Sequence, residues 1–278
     1  MIGTQSNSGC GPLEYLKQRM GANSASAALD RAALFLLEPC LPSASKQASV
    51  PVKPLLKHWN VQVRIAPGVE GKANAYLLAR RGGFDIALQP KLRSATRRFV
   101  AAHELAHTLF YSHPQGDTIP LRAIPHTQEE ESICDAIANR ILMPAMVYET
   151  LDFGHPVPDP YLIAGTLQRA RVEIVAGVSR LWELGTLGKS IVVFWEKRNE
   201  GIVPTKILNA EEQSGWPTSR LRSRWDSANH QIFHSWSFGQ TRKTYDMVSL
   251  GPFLRLCEVA IITVDEGVRK LVEIIPIP

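Results

Sequence analysis

The sequence predicts an α+β protein, on three observations. Short apolar strand-like runs at Val61–Ile65, Asn74–Ala79 and Phe84–Leu88 precede two segments whose apolar residues recur at helical spacing. A further helical stretch covers residues 159–184. Beyond Gly188 the composition turns to β-branched and aromatic runs, so strands follow the helices instead of alternating with them.

Residues 1–24 are rich in Gly, Ser and Asn and are expected to be only partly ordered. A helix from Ser26 to Leu37 follows, then a Pro- and Ser-containing linker from Pro39 to Ser49. Leu55–Trp59 reads as helical, and the alternation in Val61-Gln62-Val63-Arg64-Ile65 predicts a half-buried strand. Arg81-Gly82-Gly83, between the next two strands, predicts a hairpin turn. The long helix after it has a basic approach over Lys91–Arg98, with Ser94 or Thr96 as its N-cap. Phe99, Val100, Ala102, Leu105, Ala106, Leu109 and Phe110 form its apolar run, and Pro114 and Gly116 mark its end. Thr127–Met143 is the second helix, with Ile133, Cys134, Ile137, Ala138, Ile141 and Leu142 in phase and Pro144 as its stop.

The helical stretch at 159–184 is expected to split near Arg171. Strands are expected at Ser190–Trp195, Thr205–Leu208, Ile232–Trp236, Val259–Val264 and Leu271–Ile275. The layout that results is an N-terminal extension with one helix and a linker (1–48), a site-bearing domain (49–158), a helical segment (159–187) and a β-rich C-terminal domain (188–278). Four of the six tryptophans follow residue 190; they could line a pocket, although tryptophan more often serves a core or an interface.

With 45% hydrophobic residues the 278-residue chain can bury a core, and no apolar run reaches bilayer length. Ala32–Leu37 is too short and too late for a signal peptide. Cys10, Cys40, Cys134 and Cys257 are scattered without Cys-x-x-Cys pairs, which argues against a disulfide framework or a cysteine knuckle. A cytoplasmic, membrane-free protein is expected. The net charge is +5 and the pI about 9.1. Basic clusters at Lys91, Arg93, Arg97, Arg98 and at Arg220, Arg222, Arg224 are short, so a solvated surface is preferred to direct DNA binding.

The candidate chemistry lies on the two long helices. His103-Glu104-Leu105-Ala106-His107 places two imidazoles four residues apart, one helical turn, on one face. They can share one metal ion, with Glu104 alongside as a base that is not a ligand; this is the metalloprotease pattern. A bound zinc lowers the pKa of its water from about 16 to about 7, and a carboxylate can take the proton of the attacking water. A catalytic zinc takes three protein ligands. Glu131, at the edge of the apolar stripe of the second helix, is the best third ligand. Asp135, one turn further on, is placed to orient an imidazole, His103 first. Glu129 is expected in solvent. Glu130 stands three residues after Thr127, as in a capping box.

The run Arg97-Arg98-Phe99-Val100-Ala101-Ala102-His103-Glu104-Leu105-Ala106-His107 resembles the zinc helix of the ImmA/IrrE family of metallopeptidases. The run from Glu131 to Ile141-Leu142-Met143-Pro144 resembles that family's third-ligand helix, and Val50-Pro51-Val52 its lead-in. The resemblance covers roughly residues 48–185. Some members carry an acid where this chain has Ile133, which leaves Glu131 as the ligand here. The resemblance implies a zincin-like peptidase domain, a small sheet with a hairpin packed on the zinc helices. It also implies a cytoplasmic, gluzincin-like zinc endopeptidase with one Zn2+ per chain. Ligation would fall to His103, His107 and Glu131, the base role to Glu104 and the outer role to Asp135. The protein substrate it implies is a helix-turn-helix repressor, whose cleavage derepresses stress-response or mobile-element genes.

Tyr111, His113, His126 and Tyr148 are candidates for stabilising the oxyanion, by their nearness in sequence. The phrase Gly177-Val178-Ser179 is similar to a helix-turn-helix-like element of the family, some of whose members end in a sensor domain. The strands before the zinc helix could take the substrate as an added strand. The alternative function is a zinc-bearing regulator that binds a repressor or DNA without proteolysis. An intact Glu104 speaks against it, since a zinc scaffold needs no base.

Overall fold

The computed structural model describes residues 10–40, 49–66, 74–112, 116–155, 157–198, 201–209, 241–250, 253–265 and 269–276. It is α+β and divides into two compact units, Met1–Val147 with Ala170–Val172, and Tyr148–Arg169 with Glu173–Pro278.

The first unit opens with a helix where the composition suggested a partly ordered segment. Helix α1 (Pro12–Met20) starts with Pro12 behind the N-cap Gly11 and ends at Gly21, whose φ of 60° suits a residue without a side chain. These turn formers, read above as signs of disorder, punctuate a helix whose Leu16 is fully buried. Arg19 donates to the backbone carbonyls of Leu109 and Tyr111, and so ties α1 to distant chain. Helix α2 (Ala25–Leu37) is capped by Ser24, which accepts from the Ala27 N–H at 3.2 Å. Helix α3 (Val52–His58) leads into Trp59, whose indole donates to the Leu36 carbonyl at 2.8 Å.

Three strands follow: β1 (Val61–Ile65), β2 (Ala75–Arg80) and β3 (Gly83–Leu88). Their order is β1-β3-β2, with β1 parallel and β2 antiparallel to β3. Both outer strands are therefore edges. The half-buried alternation expected of β1 fails: only Val61 is buried, and Val63 and Ile65 are exposed, because little covers the far end of this edge strand. The β2–β3 turn has Gly82 at φ 70°. At Gly83 an added Cβ would lie 2.3 Å from the Asn60 carbonyl, so only glycine lets these chains approach.

Helix α4 (Ser94–His107) runs on into a 3-10 turn, Thr108–Phe110. Its N-cap position is Arg93, with no side-chain cap, in place of Ser94 or Thr96. Helix α5 (Gln128–Leu142) packs against α4 and α2. Arg140 of α5 pairs with Asp30 of α2 at 2.9 Å. Leu16, Leu36, Leu37, Leu55, Ile86, Leu105, Phe110, Ile137 and Ile141 belong to one buried cluster, so helices, sheet and both site helices share a core. Thr127 caps α5 by accepting from the Glu130 N–H at 3.3 Å. Thr127→Ala is expected to lower stability by about 1 kcal/mol, read as a reduced urea midpoint with unchanged slope.

The second unit contains α6 (Pro160–Ala170) and α7 (Ile174–Glu183). The expected break falls between them, at Arg171, whose φ of 57° no helix continues. Asp159 starts α6 by accepting from the Tyr161 and Leu162 N–H groups. Strands β4 (Ser190–Arg198), β5 (Gly201–Asn209), β6 (Arg242–Leu250), β7 (Phe253–Asp265) and β8 (Arg269–Pro276) form an antiparallel sheet in the order β5-β4-β8-β7-β6. Residues 191–195 of β4 and 272–275 of β8 are buried without alternation, as in central strands covered on both faces. Pro204 sits on the edge strand β5 beside a register shift at Phe194/Trp195, where a missing N–H costs least. Strand β6 was not anticipated, and the strand expected at Ile232–Trp236 lies outside the described residues. Among the described residues no helix is long and apolar enough to cross a membrane.

Candidate metal centre

Helix period and helix packing together assemble the site. His103 and His107 stand one turn apart on α4 and face α5, their rings 4.8 Å apart. Glu131 and Asp135 stand one turn apart on α5 and face back. The Nε2 atoms of the two histidines are 3.1 Å apart. Glu131 Oε2 lies 3.1 Å from His103 Nε2, and its Oε1 3.4 Å from His107 Nε2. One donor atom from each of the three residues falls within 4.8 Å of the others.

The outer nitrogens fix the tautomers. His103 Nδ1 is 2.8 Å from Asp135 Oδ1, and His107 Nδ1 is 2.6 Å from Glu130 Oε1. A carboxylate accepts, so each Nδ1 donates its proton outward and each ring turns its Nε2 inward. Two Nε2 atoms and a carboxylate then face one another at hydrogen-bond distance, all of them able to donate an electron pair to a cation. Such a cage draws in positive charge, and its two imidazoles and one carboxylate fit a metal ion. The pull on protons points the same way. Burial alone would lower the His103 pKa, but the hydrogen bond and charge of Asp135, with Glu104 and Glu131, raise it. Burial would raise Glu131, but His126, His107 and His103 outweigh it and hold its carboxyl below the usual value.

Glu130 departs from its expected role. Its backbone N–H is capped by Thr127, but its carboxylate does not return to the cap. It is fully buried, accepts from His107 Nδ1, and pairs with the Arg122 guanidinium. The pattern held the signal: Glu130, Cys134, Ile137 and Ile141 form one buried stripe, and an acid on such a stripe requires charged partners. Arg122, not singled out in the sequence, lies with its guanidinium 5.0 Å over the Tyr111 ring. Glu130→Gln is expected to weaken metal binding by about 10–100-fold, measured by competition with a chromophoric chelator. An unchanged affinity would make the Glu130–His107 contact incidental.

Glu104 contributes no donor to the cage. It is buried, accepts a backbone hydrogen bond from Leu77, and has its pKa raised by burial against the lowering effect of His107 and His103. The cleft above it, of about 690 Å³, is lined by Asn74, by the start of β2 to Leu77 and by Tyr111, Arg122 and His126, among others. Of the oxyanion candidates, Tyr111 and His126 line this cleft; Tyr148 is buried and belongs to the second unit, and His113 lies outside the described residues. His126 Nε2 lies 2.5 Å from Glu131 Oε1, a contact the sequence did not suggest. His107, His126 and Glu130 also bring donors together, but Arg122 already claims Glu130. Asp135 is exposed, Glu129 is in solvent, and Cys134 is buried, its thiol pushed well up by that burial.

Fold and site define an α+β domain in which two packed helices share a His–His–Glu donor set. Residues 57–154 match the family Peptidase_M78, described as the IrrE N-terminal-like domain, in keeping with the resemblance of the two motif-bearing helices to the ImmA/IrrE family. Among solved structures, a Mycobacterium tuberculosis transcriptional regulator is similar in fold, at 14% identity and a TM-score of 0.51, over 94% of this chain and 79% of that one. No curated protein matches the chain.

Proposed function

We propose that the chain is a zinc-dependent endopeptidase whose substrate is a helix-turn-helix transcriptional repressor, cut to release stress-response or mobile-element genes. The observation that carries this reading is the acceptor cage of His103, His107 and Glu131 with a buried carboxylate, Glu104, beside it. Two imidazoles and a carboxylate are a zinc set with a position left open. Zinc held there would polarise a carbonyl and acidify a water.

The chain's own residues do the rest. Glu104 takes the proton of the attacking water and passes it to the leaving amine. Asp135 and Glu130 keep the imidazoles turned inward. The edge of β2, where the Leu77 N–H already reaches Glu104, receives the substrate as an added strand and sets the scissile bond over the donors. Tyr111, His126 and Arg122 stand in the cleft as candidate donors to the developing oxyanion. The family domain and a structural neighbour bearing the name transcriptional regulator both accord with a regulatory target.

The test is metal analysis of the purified chain joined to cleavage of a repressor. About one zinc per chain is expected, with cleavage lost on chelation and restored by zinc. A chain that takes up no metal even when zinc is supplied would end the proposal.

A further inference from the structure

We propose that the first unit carries a second ligand site, for a small phosphate-bearing anion of nucleotide size, in a cleft apart from the metal centre. This cleft has a volume of about 610 Å³ and is lined by Lys53, Arg97, Arg98 and Arg171, with Ser94 beside them and Pro51 and Pro54 as an apolar wall. None of its lining residues is acidic, and none is shared with the cleft above His103.

The four cations come from three separate stretches: the start of α3, the first turns of α4, and the break between α6 and α7. Converging like charges on a concave surface costs Coulomb energy, which a bound anion returns. Two of the four are held in place without being neutralised. Arg97 donates to the carbonyls of Leu92 at 3.2 Å and Pro90 at 3.5 Å, and Arg171 to the Ser94 hydroxyl at 3.0 Å. These partners are neutral oxygens, so the guanidinium charge stays available while its rotamer is already fixed. That lowers the ordering cost of binding.

A guanidinium fork pairs with two oxygens of a carboxylate or a phosphate alike. The cations converging here, however, exceed what the two oxygens and single charge of one carboxylate can answer, which favours a multiply charged phosphate. A concavity of this volume lies within the small-molecule range of about 300–1,000 Å³, whereas a DNA backbone needs an extended basic surface. The proline wall gives a base or other organic group an apolar face to lie on.

Calorimetry on the full-length, zinc-supplied protein at about 0.15 M salt tests this with inorganic pyrophosphate, ATP and a short DNA duplex as probes. Binding of pyrophosphate or ATP is expected. It should weaken by about tenfold or more in Lys53→Gln/Arg97→Gln, a pair of exposed positions, and also in Arg171→Gln. Metal content and circular dichroism should not change. Tighter binding of ATP than of pyrophosphate would place the organic group on the proline wall, and equal binding would make the ligand a bare oligophosphate. Both outcomes support the site. No binding of either, full binding in the double variant, or duplex binding that ATP does not displace would overturn it.

Discussion

Glu104→Gln is expected to leave bound zinc unchanged and to lower the cleavage rate by on the order of 10²–10⁴-fold, the contribution of a positioned general base. Glutamine preserves the shape of the side chain and can still accept from the Leu77 N–H. Burial already raises the Glu104 pKa, so its surroundings disfavour the charged form, and a neutral amide costs the fold little there. The loss should therefore fall on kcat, with unfolding midpoint and metal content at wild-type values. Retained cleavage by Glu104→Gln would take the base role from this residue.

Glu131→Ala is expected to empty the site. Structural zinc sites bind with roughly 10–16 kcal/mol, so one ligand of three is worth roughly 3–5 kcal/mol, about two to four orders of magnitude in affinity. The effect should exceed that of Glu130→Gln, because Glu131 faces both Nε2 atoms whereas Glu130 acts through one imidazole. Elemental analysis after identical dialysis of both variants gives the ranking. Equal metal in wild type and Glu131→Ala would move the third ligand elsewhere, with His126 the first place to look because it already touches Glu131.

Much of this site could be read from periodicity. Helix spacing alone set His103 over His107 and Glu131 before Asp135, and the hairpin was legible from its glycines. What escaped was information carried by packing. Glu130 has the sequence position of a capping residue, yet its carboxylate turns inward because His107 and Arg122 meet it there. Arg122 is an isolated arginine in an irregular loop, with no period to mark its direction. The glycines around α1 read as disorder because composition does not distinguish a helix stop from a flexible tail. The exposure of Val63 and Ile65 was hidden because alternation says which faces a strand has, not how far its neighbours extend to cover them.

The anchoring of α1 and α2 separates two kinds of boundary in this protein. The matched segment begins at residue 57, but the hydrophobic interior does not. Leu16, Leu36 and Leu37 fill space between the site helices and their surroundings, Asp30 answers Arg140 on the ligand helix, and Arg19 grips the carbonyls just beyond His107. A protein trimmed to residues 57–154 would keep every donor atom and lose the wall they lean on. The matched segment and the packed unit are different objects here: residues 57–154 carry the donors, while α1 and α2, outside them, supply part of the core on which the donors rest.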